Sequence, residues 1–90
     1  MEFKQLEIFV AVAEEKSVQR AAERVFRTQP AVSMAVSKLE DEIGHPLFER
    51  TPPRRFHLTP LGQRLCDYAK KLLALRDEAV TCWRGLRSES

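Results

Sequence analysis

Along the first half of the chain, apolar residues recur at spacings of three and four, the signature of helices that bury one face. Phe3, Leu6, Phe9, Val10 and Ala13 mark a first helix that ends around Glu15 and Lys16. Ser17 then reads as an N-cap. Val18, Ala21, Ala22, Val25 and Phe26 form the buried stripe of a short second helix, with Arg20, Arg24 and Arg27 on its outer side. Thr28 is the next N-cap, and Pro30 suits a first turn, where its missing N–H has no intrahelical partner. The third helix buries Val32, Val36, Leu39 and Ile43, and Gly44 stops it. Ala31 and Ala35 are small enough to let a neighbouring helix pack closely. The opposite side presents Gln29, Pro30, Ser33, Met34, Ser37 and Lys38.

The period then changes. In "PLFERTPPRRFHLT", Phe48 and Arg50 alternate on one side and Phe56 and Leu58 on the other, with Pro52 and Pro53 between them. That pattern predicts two very short strands joined by a stiff loop that carries Arg54 and Arg55. Thr59 and Pro60 restart a helix as N-cap and first helical residue. Leu61, Leu65, Tyr68, Leu72, Leu75, Ala79, Cys82 and Leu86 follow at alternating spacings of four and three, a heptad seam. A helix of some 28 residues extends roughly 40 Å, too long to lie wholly on so small a body, so the seam calls for another helix. The first helix of the same domain could cover its N-terminal end only. The fold expected is mainly α: three helices plus a short β-hairpin wing over 1–58, a winged helix-turn-helix, then a linker or dimerisation helix over 59–90.

Composition narrows the function classes. Ninety residues, 43% hydrophobic and 31% charged, describe one small soluble domain or a piece of a larger chain. A core of that size is marginal alone, and a second copy would help. No apolar run spans a membrane, and "MEFKQLEIFV" is unlike a signal peptide, so the expected location is the cytoplasm, with the nucleoid. Cys66 and Cys82 fall on one helix, roughly 24 Å apart at 1.5 Å per residue, far beyond disulfide reach. They read as reduced, half-buried small hydrophobes.

The net charge of +2 says little, but its distribution says more. Between Lys16 and Lys38 five bases (Lys16, Arg20, Arg24, Arg27, Lys38) face one acid, Glu23, and between Arg50 and Arg64 there are four arginines and no acid. The acidic block Glu40–Glu42 lies between the two stretches and reads as solvated, like Glu14 and Glu15. This clustering implies an anionic partner that touches two particular segments. Two short helices joined by a tight turn, the second with a small and polar face, is the helix-turn-helix pattern.

These residues also carry a resemblance. "AA" after Arg20, "TQPAVS" opening the third helix, "LE" followed by "IG", "LFER" and "LTPLG" resemble the N-terminal DNA-binding domain of the LysR-type bacterial transcriptional regulators. The likeness covers residues 1 to about 65 with the right spacing throughout, and the last helix is similar to the family's linker helix. It implies a winged helix-turn-helix that reads operator DNA and dimerises through linker helices, which the family suggests run antiparallel. It also implies a separate C-terminal domain, absent from this chain, that binds a small-molecule effector and supports a tetramer. Met34 and Pro52-Pro53 depart from what many members carry.

Together these features assign roles. A helix that enters the major groove end-on presents its N-terminal turns and keeps its C-terminal end outside, which accounts for an acid-free front and an acidic back between Arg27 and Gly44. In the recognition helix 28–39, Thr28 caps a terminus suited to a phosphate, and Gln29 can bond an adenine at two points. Ser33 can meet base or phosphate, Pro30 and Met34 suit a thymine methyl, and Ser37 and Lys38 suit phosphate. Arg54 and Arg55 suit a narrow minor groove, while Arg50 braces the wing or touches the backbone. Blander readings stand beside these: Gln29 as a capping residue, Met34 as an exposed helix former, Arg20 and Arg24 as a solvated face paired with Glu23 and similar acids. No cofactor and no enzyme activity is expected. His45 and His57, with Cys66, show no recognised ligand spacing. The alternative class is a protein-interaction module that uses the heptad helix, which explains the seam but not the arginines.

Overall fold

The computed structural model describes the backbone of residues 1–89 and the side chains of residues 1–86. Four helices follow in order: α1 (Phe3–Glu15), α2 (Val18–Val25), α3 (Gln29–Ile43) and α4 (Pro60–Glu89). The starts of the last three fall where the capping residues place them. Ser17 Oγ accepts the Arg20 N–H at 3.2 Å, Thr28 Oγ1 accepts that of Ala31 at 3.2 Å, and Thr59 Oγ1 accepts that of Gly62 at 3.0 Å. Gly44 ends α3 in the left-handed region, with its N–H on the Glu40 carbonyl.

Helix α1 is the centre of the molecule. Leu6, Phe9, Val10 and Val12 are buried from it, against Ala21 and Ala22 of α2, Val32 and Leu39 of α3, and Cys66 and Ala69 of α4. The adjacent alanines of α2 have no bulk to hold its neighbours off, and Ala21 is wholly buried. Leu47 and Phe48 close the base, with Phe48 edge-on to Phe9 at 5.5 Å between ring centres. The core therefore crosses residue 58: α4 supplies part of it.

The structure departs from the sequence expectations at Phe26, in the wing, at Glu40 and at the two cysteines. Phe26, assigned to the buried stripe of α2, is 93% exposed. Helix α2 ends at Val25 in a Schellman closure, with the Arg27 N–H on the Ala22 carbonyl and Phe26 at φ 58°, so the helical period no longer sets the direction of its side chain. The wing has one antiparallel bridge, Phe48 to Leu58, in place of two strands. Pro52 and Pro53 donate no hydrogen bond to a ladder. The loop instead folds on itself, Arg54 N–H to the Thr51 carbonyl and His57 N–H to that of Arg54. Glu40 is buried, not solvated. Glu14 is exposed and Glu15 partly so, and both are also paired: Glu14 with Arg24 at 2.7 Å and Lys70 at 3.3 Å, and Glu15 with a second Arg24 nitrogen at 3.4 Å. Arg24 thus joins α2 to α1 and is paired with acids, as the blander reading of it expected, with Glu14 and Glu15 as the partners.

The Arg24 hydrogen bond holds the Glu14 carboxyl below the ordinary glutamate range, against desolvation and with help from Lys70. Because the folded pKa is depressed, this tie is present at neutral pH and is lost as the carboxylate protonates in acid. Neither cysteine is half-buried as expected. Cys66 is buried, which pushes its thiol up and keeps it protonated at neutral pH. Cys82, beyond the part of α4 that packs on the core, is exposed.

Candidate nucleic-acid interface

The first turns of α2 and α3 and the root of the wing border one open groove. Lys16, Ser17 and Gln19 line it from the start of α2, Gln29, Pro30, Ser33 and Ser37 from α3, and Glu49, Arg50 and Arg55 from the wing. Each is brought there by a local feature. The Thr28 cap and the Pro30 turn aim the front of α3 outward, so that Gln29, Pro30, Ser33 and Ser37 are exposed one turn after another. The Gln29 side chain makes no hydrogen bond within the described residues, so the capping alternative finds no bond to support it, and both amide donors and its acceptor stay available.

Of the ten residues assigned to this face, six line the groove: Gln29, Pro30, Ser33, Ser37, Arg50 and Arg55. Thr28 does not line it, and its Oγ1 is engaged as the cap acceptor. Met34, Lys38 and Arg54 are exposed but do not line it. Arg55 is propped by its own neighbour, with the guanidinium carbon 5.1 Å from the centre of the Phe56 ring. Lys16, Ser17 and Gln19 line the groove without having been expected there. The local signal is the Ser17 cap, which marks the helix start that borders the groove.

Of the basic residues that line the groove, Arg50 is the one held by a carboxylate. Its Nη2 donates to Glu40 Oε1 at 2.7 Å, and the other carboxylate oxygen of Glu40 accepts the Leu47 N–H at 2.7 Å. One buried carboxylate thus ties the wing to α3. The sequence hint is its register: Glu40 lies four residues after Val36 and three before Ile43, on the apolar stripe.

The second face is on α4. Its inner stripe, Gly62, Cys66, Ala69 and Leu73, packs on α1 and the base of the wing, aided by the Arg76–Glu7 ion pair and by Arg76 over the Phe3 ring at 5.5 Å. The seam is the neighbouring stripe and stays outside. Leu61, Tyr68, Leu72, Leu75, Ala79, Cys82 and Leu86 are exposed, and Leu65 alone is half-buried against the core. At 1.5 Å per residue the helix runs about 45 Å, most of the 54 Å long axis of the molecule. Among the described residues no helix is long and apolar enough to cross a membrane, and no three His, Cys, Asp or Glu side chains form a metal-binding group.

The family described as "Bacterial regulatory helix-turn-helix protein, lysR family" matches residues 3–63, which include α1 to α3, the wing and the first turn of α4. The HTH-type transcriptional regulator DgdR of Burkholderia cepacia is 43% identical over 88 residues, 96% of this chain and 30% of that protein. BudR of Klebsiella aerogenes, also an HTH-type transcriptional regulator, is 42% identical over 86 residues, 96% of this chain and 59% of that protein. The chain therefore spans less than two thirds of either relative's length. Among solved structures, the BenM_DBD/catB site 1 DNA complex superposes with a TM-score of 0.92 at 38% identity, covering 98% of both chains. The CbnR_DBD-DNA complex does so at 0.86 and 34%, covering 96% of this chain and 98% of that one. With the winged helix-turn-helix in place and more than half of its residues matched, this chain belongs to the lysR family of bacterial regulatory helix-turn-helix proteins.

Proposed function

We propose that this chain is the sequence-specific, double-stranded DNA-binding domain of a transcriptional regulator, acting as a dimer on an inverted-repeat operator. The observation that carries the reading is the groove itself. Unpaired amide and hydroxyl groups from the front of α3 share it with Arg50 and Arg55 of the wing, while Asp41 and Glu42 are held at the back of the helix. That division suits a helix docked end-on in the major groove, with Thr28, Gln29, Pro30, Ser33, Met34, Ser37 and Lys38 toward the duplex and the wing arginines toward a flanking minor groove. The relatives' names and the two DNA complexes among the neighbours support it. The exposed α4 seam supports a homodimer. On this reading the chain works at the nucleoid in the cytoplasm, and a small-molecule effector and tetramer contacts belong to a further domain of the whole protein.

Gln29→Ala tests the base-reading role. The variant should bind its preferred site about 1–3 kcal/mol more weakly and lose preference at one position per half-site. An equal loss on specific and scrambled duplexes would show that Gln29 reads no base.

The wing should behave differently. Arg54→Ala and Arg55→Ala should weaken binding to most sequences alike, with a salt dependence shallower by about one for each phosphate left without its arginine. Titrations across a salt series check this, and an unchanged slope in both variants would move the arginines off the DNA.

A further inference from the structure

We infer that Glu40 is a positioning residue for DNA binding: it holds the Arg50 guanidinium in the groove, aimed at a backbone phosphate that Glu40 never touches. The inference rests on the DNA reading above and adds to it a residue that lies outside the expected contact set. Glu40 is the buried charged side chain of the described residues, with 9% of its side chain exposed. A buried carboxylate must be satisfied on both oxygens to be tolerated, and this one is, by the Leu47 N–H and by Arg50. Leu47 is wholly buried, and its carbonyl takes the Thr59 N–H at the cap of α4, so the carboxylate is anchored where α3, the wing and α4 meet.

Arg50 is held without being consumed. Its side chain stays 71% exposed despite the ion pair, on the groove it shares with Gln29, Ser33 and Arg55. A guanidinium carries five N–H donors in a planar fork, and the Glu40 bond uses one of them. The remaining donors are presented to the groove in a fixed orientation, so a phosphate meets a side chain whose rotamers are already restricted. The arrangement also explains how a carboxylate can sit beneath an anion-binding face: Arg50 neutralises it and covers it.

Glu40→Gln separates positioning from charge, because the two give opposite signs. A glutamine has one acceptor oxygen. The buried Leu47 N–H is the costlier group to leave unpaired, so it keeps that oxygen, and the amide NH2 turns toward Arg50 and releases it. If Glu40 acted only as a negative charge near DNA, its removal would tighten binding. Positioning requires the reverse.

The measurement is binding to a generic mixed-sequence duplex over a salt series, below the onset of thermal unfolding of each variant. Glu40→Gln is expected to bind about tenfold more weakly, with a salt slope shallower by about one. Arg50→Gln should do the same, and adding Glu40→Gln to it should cost no more than about twofold, because the interaction the two residues share is already gone. Arg50→Lys leaves the Glu40–Leu47 bond intact and keeps the charge but lacks the fork, and it should also bind more weakly. Equal or tighter binding by Glu40→Gln, full affinity in Arg50→Lys, or effects that multiply in the double variant would each overturn the inference. If the wild-type chain shows no salt-dependent binding, the DNA reading itself falls, which is a distinguishable result.

Discussion

On the proposed dimer, Leu72→Glu should give a folded monomer and lower affinity for a paired operator site by about 10²–10⁴, the gain that tethering two modules provides. Leu72 occupies the middle of the exposed seam, between Tyr68 and Leu75. Two chains that bury their seams on each other bring two such glutamates into one interface. An unpaired buried charge costs several kcal/mol, more than the contacts around it return. The fold of each subunit should survive, because the residues that pack α4 on α1 lie on the adjacent stripe: Cys66 and Ala69 are buried and Leu72 is not. Sedimentation, far-UV circular dichroism and DNA titration of the two proteins check this. Wild type that sediments as a monomer at tens of micromolar, or a variant with full affinity for the paired site, would rule out the dimer.

Gly62→Ala should destabilise the fold by about 3 kcal/mol or more, the upper end of overpacking costs. Helix propensity alone gives the opposite sign, since alanine is favoured over glycine in a helix by about 1 kcal/mol. Packing should win. A Cβ on Gly62 would overlap the Leu47 carbonyl oxygen and lie 3.0 Å from its carbon and 3.1 Å from Leu58 Cδ2. That carbonyl is backbone, already fixed by the Thr59 N–H at 3.0 Å, and Thr59 in turn bonds the Pro46 carbonyl through its hydroxyl. The Leu58 side chain could shift, but the Leu47 backbone, where the overlap is worst, has no such freedom. For a domain of this size the destabilisation corresponds to a drop of more than about 10 °C in Tm. Gly85→Ala is the control, because a Cβ there meets nothing within 4 Å, and it should leave Tm unchanged or slightly higher. Equal effects of the two substitutions would contradict the close approach.

Ser17, Thr28, Thr59 and Gly44 start and stop helices through bonds to residues three or four positions away, so their roles are legible locally. The front of α3 is legible for the same reason: a cap and a proline fix its direction, and periodicity fixes which side is outward. Phe26 escapes such a reading because it lies one residue past the last helical turn, where periodicity no longer applies. Glu40 escapes it because its burial is demanded by an N–H seven residues on and a guanidinium ten residues on, which no short-range pattern reports. Alternation overstates the wing ladder, since it shows which sides residues share, while two prolines decide whether the hydrogen bonds can form. On α4 the heptad seam is legible, but a second stripe one position along carries the packing. Which of the two adjacent stripes faces inward is settled by Gly62 and its fit against Leu47.

Two copies of α3, held by α4, should read a two-fold-related DNA site. Selection of bound sites from random duplexes by the dimeric chain tests this most directly. Two inverted half-sites centred about one helical turn, or a multiple of it, apart should be enriched, with preference at the positions that Gln29→Ala relaxes. Recovery of unenriched sequence, or of single half-sites without a partner at fixed spacing, would contradict two-fold reading.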